Sequence, residues 1–197
     1  MKKIAITGGI ASGKTTVCRI LKKHGACTLN SDQIIHDLLS KDFSCISKIV
    51  KLLGSQVLTD EKIDRNKVAK IVFNDREKLE ALEKILHPEL FVEIDKEYNR
   101  AKKNNSCKFF AVEMPLVQEI GKEKNFDAVI AVLSPENQAL LRLRKEGFSK
   151  EMYNTRMKRQ WDVNKKAKNA DYVILNDGTI DELENNLLEM MKEISSQ

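Results

Sequence analysis

The residues best suited to chemistry are Gly8-Gly9-Ile10-Ala11-Ser12-Gly13-Lys14-Thr15, which fit the phosphate-binding pattern G-x-x-x-x-G-K-[ST] in full. Glycines let such a loop turn its backbone N–H groups inward around a polyphosphate, and a helix N-terminus adds partial positive charge. Lys14 supplies an ammonium for the β- and γ-phosphates, and the Thr15 hydroxyl suits a Mg²⁺ ligand. An ordinary glycine-rich strand-to-helix turn has no use for the Lys-Thr pair. The spacing therefore predicts binding of a nucleoside triphosphate.

A loop of this kind has to be held between a buried strand and a helix. Ile4-Ala5-Ile6 precedes it as a short apolar run, and Val17, Ile20 and Leu21 follow it at helical spacing, so a helix is expected to open near Lys14. Four further segments read as strands: Cys27–Asn30, Lys108–Met114, Ala128–Leu133 and Asp171–Leu175. The last three are near-continuous apolar runs, as expected of parallel strands buried on both faces. Helical patterns separate the strands, which predicts an α/β fold around a five-stranded parallel sheet. Ser134-Pro135 reads as an N-cap followed by proline at the first helical position. Thr179–Glu182 has the capping-box pattern ahead of a terminal helix with Ile180, Leu183, Leu187, Met190 and Ile194 on its apolar face.

Between Asp32 and Asn105 the pattern is helical and shows no strong strand. Ile34, Ile35, Leu38 and Leu39 form one stripe. Leu79, Leu82, Leu86 and Leu90 form another, interrupted at His87-Pro88. The expected organisation is one domain of 197 residues with three parts. The core comprises about residues 1–31, 106–135 and 168–197; a helical lobe comprises about 32–105, and a short helical lid about 136–167. A strand-free insertion after the second strand is where small-molecule kinases with this loop often hold their acceptor.

Composition narrows the class. No apolar stretch is long enough to cross a membrane, and the N-terminal run breaks at Gly8-Gly9, unlike a signal peptide, so a cytoplasmic protein is expected. Cys18, Cys27, Cys45 and Cys107 lack the spacing of a zinc or redox motif and read as reduced structural thiols. The net charge of +5 suits an anionic ligand, and no aromatic-interleaved signature points to nucleic acid. Arg156, Lys158, Arg159, Lys165, Lys166 and Lys168 form the densest basic cluster, read as a solvated helix face.

An N-K-x-D guanine motif is absent, and only Glu113, after Phe109–Val112, approaches an acidic strand end. Asp32, just past the second strand, is either a base for an acceptor hydroxyl or a helix N-cap; its position alone supports both.

In order along the chain, Thr7–Thr16, Asn30-Ser31-Asp32, Asp64-Arg65, Leu86-His87-Pro88, Pro115–Glu119, Gln160, Ala170-Asp171 and Asn176-Asp177-Gly178 resemble the motif series of the dephospho-coenzyme A kinases. The resemblance implies a three-layer phosphate-loop kinase fold. It also implies transfer of the ATP γ-phosphoryl to the ribose 3′-hydroxyl of dephospho-coenzyme A, the last step of coenzyme A biosynthesis, with Mg²⁺ on Thr15. It assigns ATP to Gly9, Ile10, Ala11, Ser12, Gly13, Lys14, Thr15, Thr16 and Asn176, and the acceptor to Asp32, Arg65, His87, Pro115 and Leu116. Asp32, Lys14 and Arg142 would be catalytic, Arg142 closing from the lid with Arg144 or Lys145 as its partner. Glu119 reads as a helix-surface acid outside the catalytic set. Two residues depart from the family pattern, and the lid segment Leu141–Lys145 is one residue shorter than the usual arginine-to-arginine spacing. Ala11 replaces a loop glycine, which an ordinary right-handed φ would allow, and Asn30 replaces the first aspartate of D-A-D.

Overall fold

Five segments become the strands of one sheet. They are β1 (Lys2–Gly8), β2 (Cys27–Asn30), β5 (Phe109–Glu113), β6 (Ala128–Leu133) and β7 (Tyr172–Leu175), in the order β2-β5-β1-β6-β7. The inner ones, β1, β5 and β6, are buried along nearly their whole length, as apolar runs covered on both faces must be, while β2 and β7 at the edges are only partly buried. β1 pairs in parallel with β5 and β6, and β6 with β7, as expected of this α/β class. This computed structural model describes residues 1–73, 75–145, 147 and 160–196. Arg156, Lys158 and Arg159 of the basic cluster, and the middle of the expected lid, lie outside the described residues.

The chain divides into two compact units, Met1–Leu29 with Arg100–Gln197, and Asn30–Asn99. In the first, α1 (Lys14–Lys23) and the terminal helix α8 (Ile180–Ser196) cover the sheet. Their Val17, Ile20, Leu21, Leu183, Leu187, Met191 and Ile194 pack on Ile4, Ile6, Ala111, Ile130, Val132 and Ile174. The apolar face of α8 differs from the expected one in two ways: Ile180 is exposed, and Met191 is buried beside the expected Met190, which packs on the same core. Two more helices, α6 (Glu136–Lys145) and α7 (Val163–Lys168), also belong to this unit. The first helical bond of α6 runs from Ala139 N–H to the Pro135 carbonyl, so Pro135 holds the cap position. The Ser134 hydroxyl accepts from Arg142 instead.

The second unit is built from α2 (Ser31–Lys41), α3 (Phe43–Leu53), α4 (Arg65–Val72) and most of α5 (Arg76–Lys103). Leu39, Ile49, Leu53, Val57, Val68, Val72, Leu82 and Leu86 form its core. It is not strand-free, since β3 (Leu58–Thr59) and β4 (Lys62–Ile63) make a short antiparallel hairpin around Asp60 and Glu61, both with positive φ. Two-residue strands leave no periodicity to read.

α5 also runs unbroken through His87-Pro88. An interior proline costs about 3 kcal/mol of helix propensity. Leu82, Leu86, Leu90 and Ile94 are buried on both sides of it, and each such side chain contributes about 1.5–3 kcal/mol, so burial outweighs the missing bond.

The cysteines depart from expectation. Cys27 and Cys107 are joined as a disulfide, their Cα atoms 5.6 Å apart. Cys27 begins β2, Cys107 sits two residues before β5, and these strands are neighbours. Cys18 and Cys45 remain buried thiols. Burial raises both pKa values, that of Cys45 to about 11, so neither is a nucleophile at neutral pH.

Candidate active site

The phosphate loop joins β1 to α1, with Gly13 as the helix N-cap at φ +103°. A side chain there would be strained, and its Cβ would collide with Asn176 Nδ2. That close approach lets the buried Asn176 amide donate to the Ser12 carbonyl at 2.8 Å. Ala11 has φ +54°, contrary to the right-handed value expected of it. The loop needs a left-handed residue at this point whatever its side chain, and alanine accepts roughly 1–2 kcal/mol of strain to provide it.

Arg142 on α6 braces this strained loop. Its Nη1 donates to Ser134 Oγ at 2.9 Å and to the Ala11 carbonyl at 3.1 Å, with Ser12 O at 3.5 Å. Its Nη2 donates to Gln138 Oε1 and to the Asn176 carbonyl, both at 3.2 Å. The planar guanidinium satisfies separated acceptors at once, which a lysine cannot do. Gln138 lies one turn before Arg142 on α6, a helical spacing that makes the two neighbours, whereas Ser134 precedes the helix and left no such signal.

Lys14 is buried, contrary to the usual picture of a solvated loop lysine. Its Nζ donates to the carbonyls of Gly9 at 2.7 Å and Gly8 at 3.2 Å, folding back over the loop it serves. The next residue, Thr15, donates its hydroxyl to Glu113 Oε1 at 2.9 Å. Glu113 closes β5 opposite Ile6 of β1, so strand pairing brings the carboxylate to the loop. A hydroxyl and a carboxylate are hard oxygen donors of the type Mg²⁺ takes alongside water and phosphate oxygens. The residues present therefore fit that ion. Among the described residues no cluster of three His, Cys, Asp or Glu forms a dedicated metal site.

Pro115 and Leu116 follow β5 in a turn, both half-buried. The Pro115 carbonyl accepts from Thr7 Oγ1 at 3.0 Å and from Lys166 Nζ at 2.7 Å. Glu119 is not a surface acid: its side chain is 11% exposed and pairs with the fully buried Lys166. Lys166 likewise leaves the solvated face expected for the basic cluster. Nothing in a Lys-rich helical stretch distinguishes the one lysine that turns inward.

Asp32, Arg65 and His87 belong to the second unit. Asp32 is exposed on the first turn of α2, two residues beyond β2. It is not the N-cap, because Asn30 Oδ1 accepts from Gln33 N–H at 3.1 Å and fills that role. The cap reading of Asp32 is thereby set aside. Arg65 opens α4 beside its cap Asp64, whose carboxylate accepts from the N–H groups of Asn66 and Lys67. Those backbone bonds, Lys67 first, lower the Asp64 pKa. Arg65 Nη1 lies 3.2 Å from His36 Nδ1, one turn along α2 from Asp32. A guanidinium can only donate, so the imidazole accepts at Nδ1. His87 is half-buried on α5.

The chain is similar to known proteins over nearly its whole length. The family model described as Dephospho-CoA kinase matches residues 2–182. The dephospho-CoA kinase of Protochlamydia amoebophila is 40% identical over 196 residues, covering 98% of this chain and 97% of the relative. A solved structure from Thermus thermophilus superimposes with a TM-score of 0.85 at 29% identity, covering 98% of this chain and 97% of its own. The dephospho-CoA kinase from Campylobacter jejuni gives 0.72 at 29% identity over the same shares.

Proposed function

The chain belongs to the dephospho-CoA kinase family, and from that premise we propose how its own residues carry out the reaction. The enzyme catalyses the last step of coenzyme A biosynthesis, the ATP-dependent phosphorylation of dephospho-coenzyme A at its ribose 3′-hydroxyl, giving coenzyme A and ADP. The observation that carries the residue-level reading is the loop from Gly8 to Thr15, held between β1 and α1 with Thr15 on Glu113 and Arg142 on its carbonyls.

Transfer of a phosphoryl group needs positioning and charge neutralisation more than covalent help. The N–H groups of Gly9–Thr16 hold the polyphosphate, and Lys14 turns from the Gly8 and Gly9 carbonyls to the γ-phosphate when ATP arrives. Asn176 and Arg142 act on the loop from behind, keeping Ala11 and Ser12 in the conformation that points those N–H groups inward. Asp32 orients the 3′-hydroxyl and takes its proton as the bond to phosphorus forms. Arg65 and His87 bind the acceptor nucleotide, and Pro115 with Leu116 contributes apolar surface for it. Thr15 and Glu113 are the residues that would hold Mg²⁺, which when bound offsets charge on the phosphate oxygens. In this reading the Asn30–Asn99 unit is the acceptor lobe. The expected location is the cytoplasm.

The test is ADP release from ATP·Mg²⁺ across a panel of acceptors: dephospho-coenzyme A, AMP, CMP, UMP and shikimate. Dephospho-coenzyme A should stimulate release far above the others. Equal stimulation by AMP or CMP would overturn the acceptor assignment.

A further inference from the structure

Lys166 is wholly buried and yet ends in a charge. Its ammonium directs all three donors into the protein. They go to the Glu119 carboxylate, 2.7 Å from Oε1 and 2.9 Å from Oε2, to the Pro115 carbonyl at 2.7 Å and to Thr7 Oγ1 at 3.3 Å. Thr7 donates to the same Pro115 carbonyl. Glu119 Oε1 also accepts the Trp161 N–H at 2.7 Å, and the Gln118 amide donates to the Lys166 carbonyl at 2.9 Å. One turn earlier on α7, Val163 lies so close to Gly9 that a Cβ on the glycine would come within 2.9 Å of Val163 Cγ1. Burial lowers the Lys166 pKa, and the hydrogen bond and charge of Glu119 oppose that.

A buried ion pair is a poor source of stability, because desolvation offsets most of its attraction and an apolar pair of similar volume packs as well. What lysine supplies and methionine does not is directed bonds to three separate segments. These are the residue just before the loop glycines, the residue two beyond Glu113 and, through Glu119, the stretch leading into α7. We propose, resting on the reaction assigned above, that Lys166 is a positioning residue for phosphoryl transfer. It locks the start of the phosphate loop on β1 to the turn after β5, so that Lys14 and Thr15 meet the polyphosphate in the geometry transfer needs, and it touches no substrate. Transfer rates are sensitive to such placement, about 10²-fold for a 1 Å error.

The test is a double variant, Lys166→Met with Glu119→Gln, which removes both charges together and leaves the Trp161 N–H an acceptor. The expected result is a fall in kcat of roughly 10–100-fold, with ATP·Mg²⁺ affinity within about threefold of wild type and little change in melting temperature. A purely structural pair would lower the melting temperature and leave kcat of the folded protein unchanged. A folded double variant with kcat within about twofold of wild type overturns the proposal.

Thr7→Val tests it without disturbing the ion pair. It keeps the side-chain shape and deletes the hydroxyl that Lys166 and Pro115 share. Its kcat should fall by about 3–10-fold and return in Thr7→Ser. Unchanged kcat in Thr7→Val overturns the proposal even if the double variant fails to fold. Wild type in the same assay tests the reaction separately. Should it prefer another acceptor, the same ratios are read with that acceptor.

Discussion

Asp32 and Asn30 divide two tasks that neighbouring polar residues at a helix start often combine. Asn30 satisfies the Gln33 N–H, leaving Asp32 exposed without a capping duty. Asp32→Asn should therefore leave the melting temperature unchanged while turnover falls by roughly 10²–10⁴. Steady-state kinetics beside a thermal melt checks both halves, and wild-type turnover would move the base assignment elsewhere. Ala11 offers a second test. Its φ of +54° is strained for any residue with a Cβ. Ala11→Gly should raise unfolding stability by up to about 1 kcal/mol, the left-handed strain less glycine's greater entropy when unfolded. Denaturant unfolding measures this, and a loss of stability would contradict the loop geometry.

At the scale of the element, the helices owe their ends to short-range polar contacts and their middles to burial. α8 shows both. The Thr179 N–H donates to Glu182 Oε2 at 2.7 Å, and the Glu182 N–H donates back to Thr179 Oγ1 at 3.2 Å, closing the capping box. Thr179→Ala should cost about 1 kcal/mol at neutral pH. The backbone hydrogen bond from Thr179 is the main cause of the lowered Glu182 pKa, with its hydroxyl second. A carboxylate whose pKa is depressed by folding stabilises fully above its ordinary value and loses that contribution as pH falls through the depressed one. The stability gap between wild type and Thr179→Ala should therefore narrow in acid, below about pH 4.5. The Thr179 N–H bond to Glu182 is kept in the variant, so the narrowing reports the hydroxyl alone. A gap independent of pH down to strong acid would show that the hydroxyl adds nothing through the Glu182 charge. α5 illustrates the other half, since four buried aliphatic residues carry it through a proline that local preference alone would use to break it.

For the whole molecule, the loop and its braces predict that nucleotide binding couples to global stability. A ligand that binds only the folded chain stabilises it by about 2.7 kcal/mol at 100 times its Kd. For a chain of this size that is a rise of roughly 5–10 °C in Tm. ATP·Mg²⁺ should produce this shift, and Lys14→Ala should lose much of it while still folding. Lys14 Nζ donates to the carbonyls of Gly8 and Gly9, within the loop that its removal would alter. Differential scanning fluorimetry reads both. An undiminished shift in the variant would remove Lys14 from the phosphate site.

What the sequence alone determined is whatever depends on near neighbours. The phosphate loop, the apolar strands, the helix after the loop and the capping box were legible because each is written within a few residues, as a fixed spacing or an apolar run. The family followed from an ordered series of such local motifs. The hairpin around Asp60 and Glu61 escaped notice because it is too short to carry a period. The tertiary structure alone decided the contacts between distant segments. Cys27 meets Cys107 across 80 residues, Thr15 meets Glu113 and Arg142 reaches the carbonyls behind Ala11. Lys166 turns from an expected surface into a buried pair with Glu119. Each of these depends on which strands lie side by side. Hydrophobic pattern says that a strand is buried but not beside which neighbour, and that order is set only when the whole core packs.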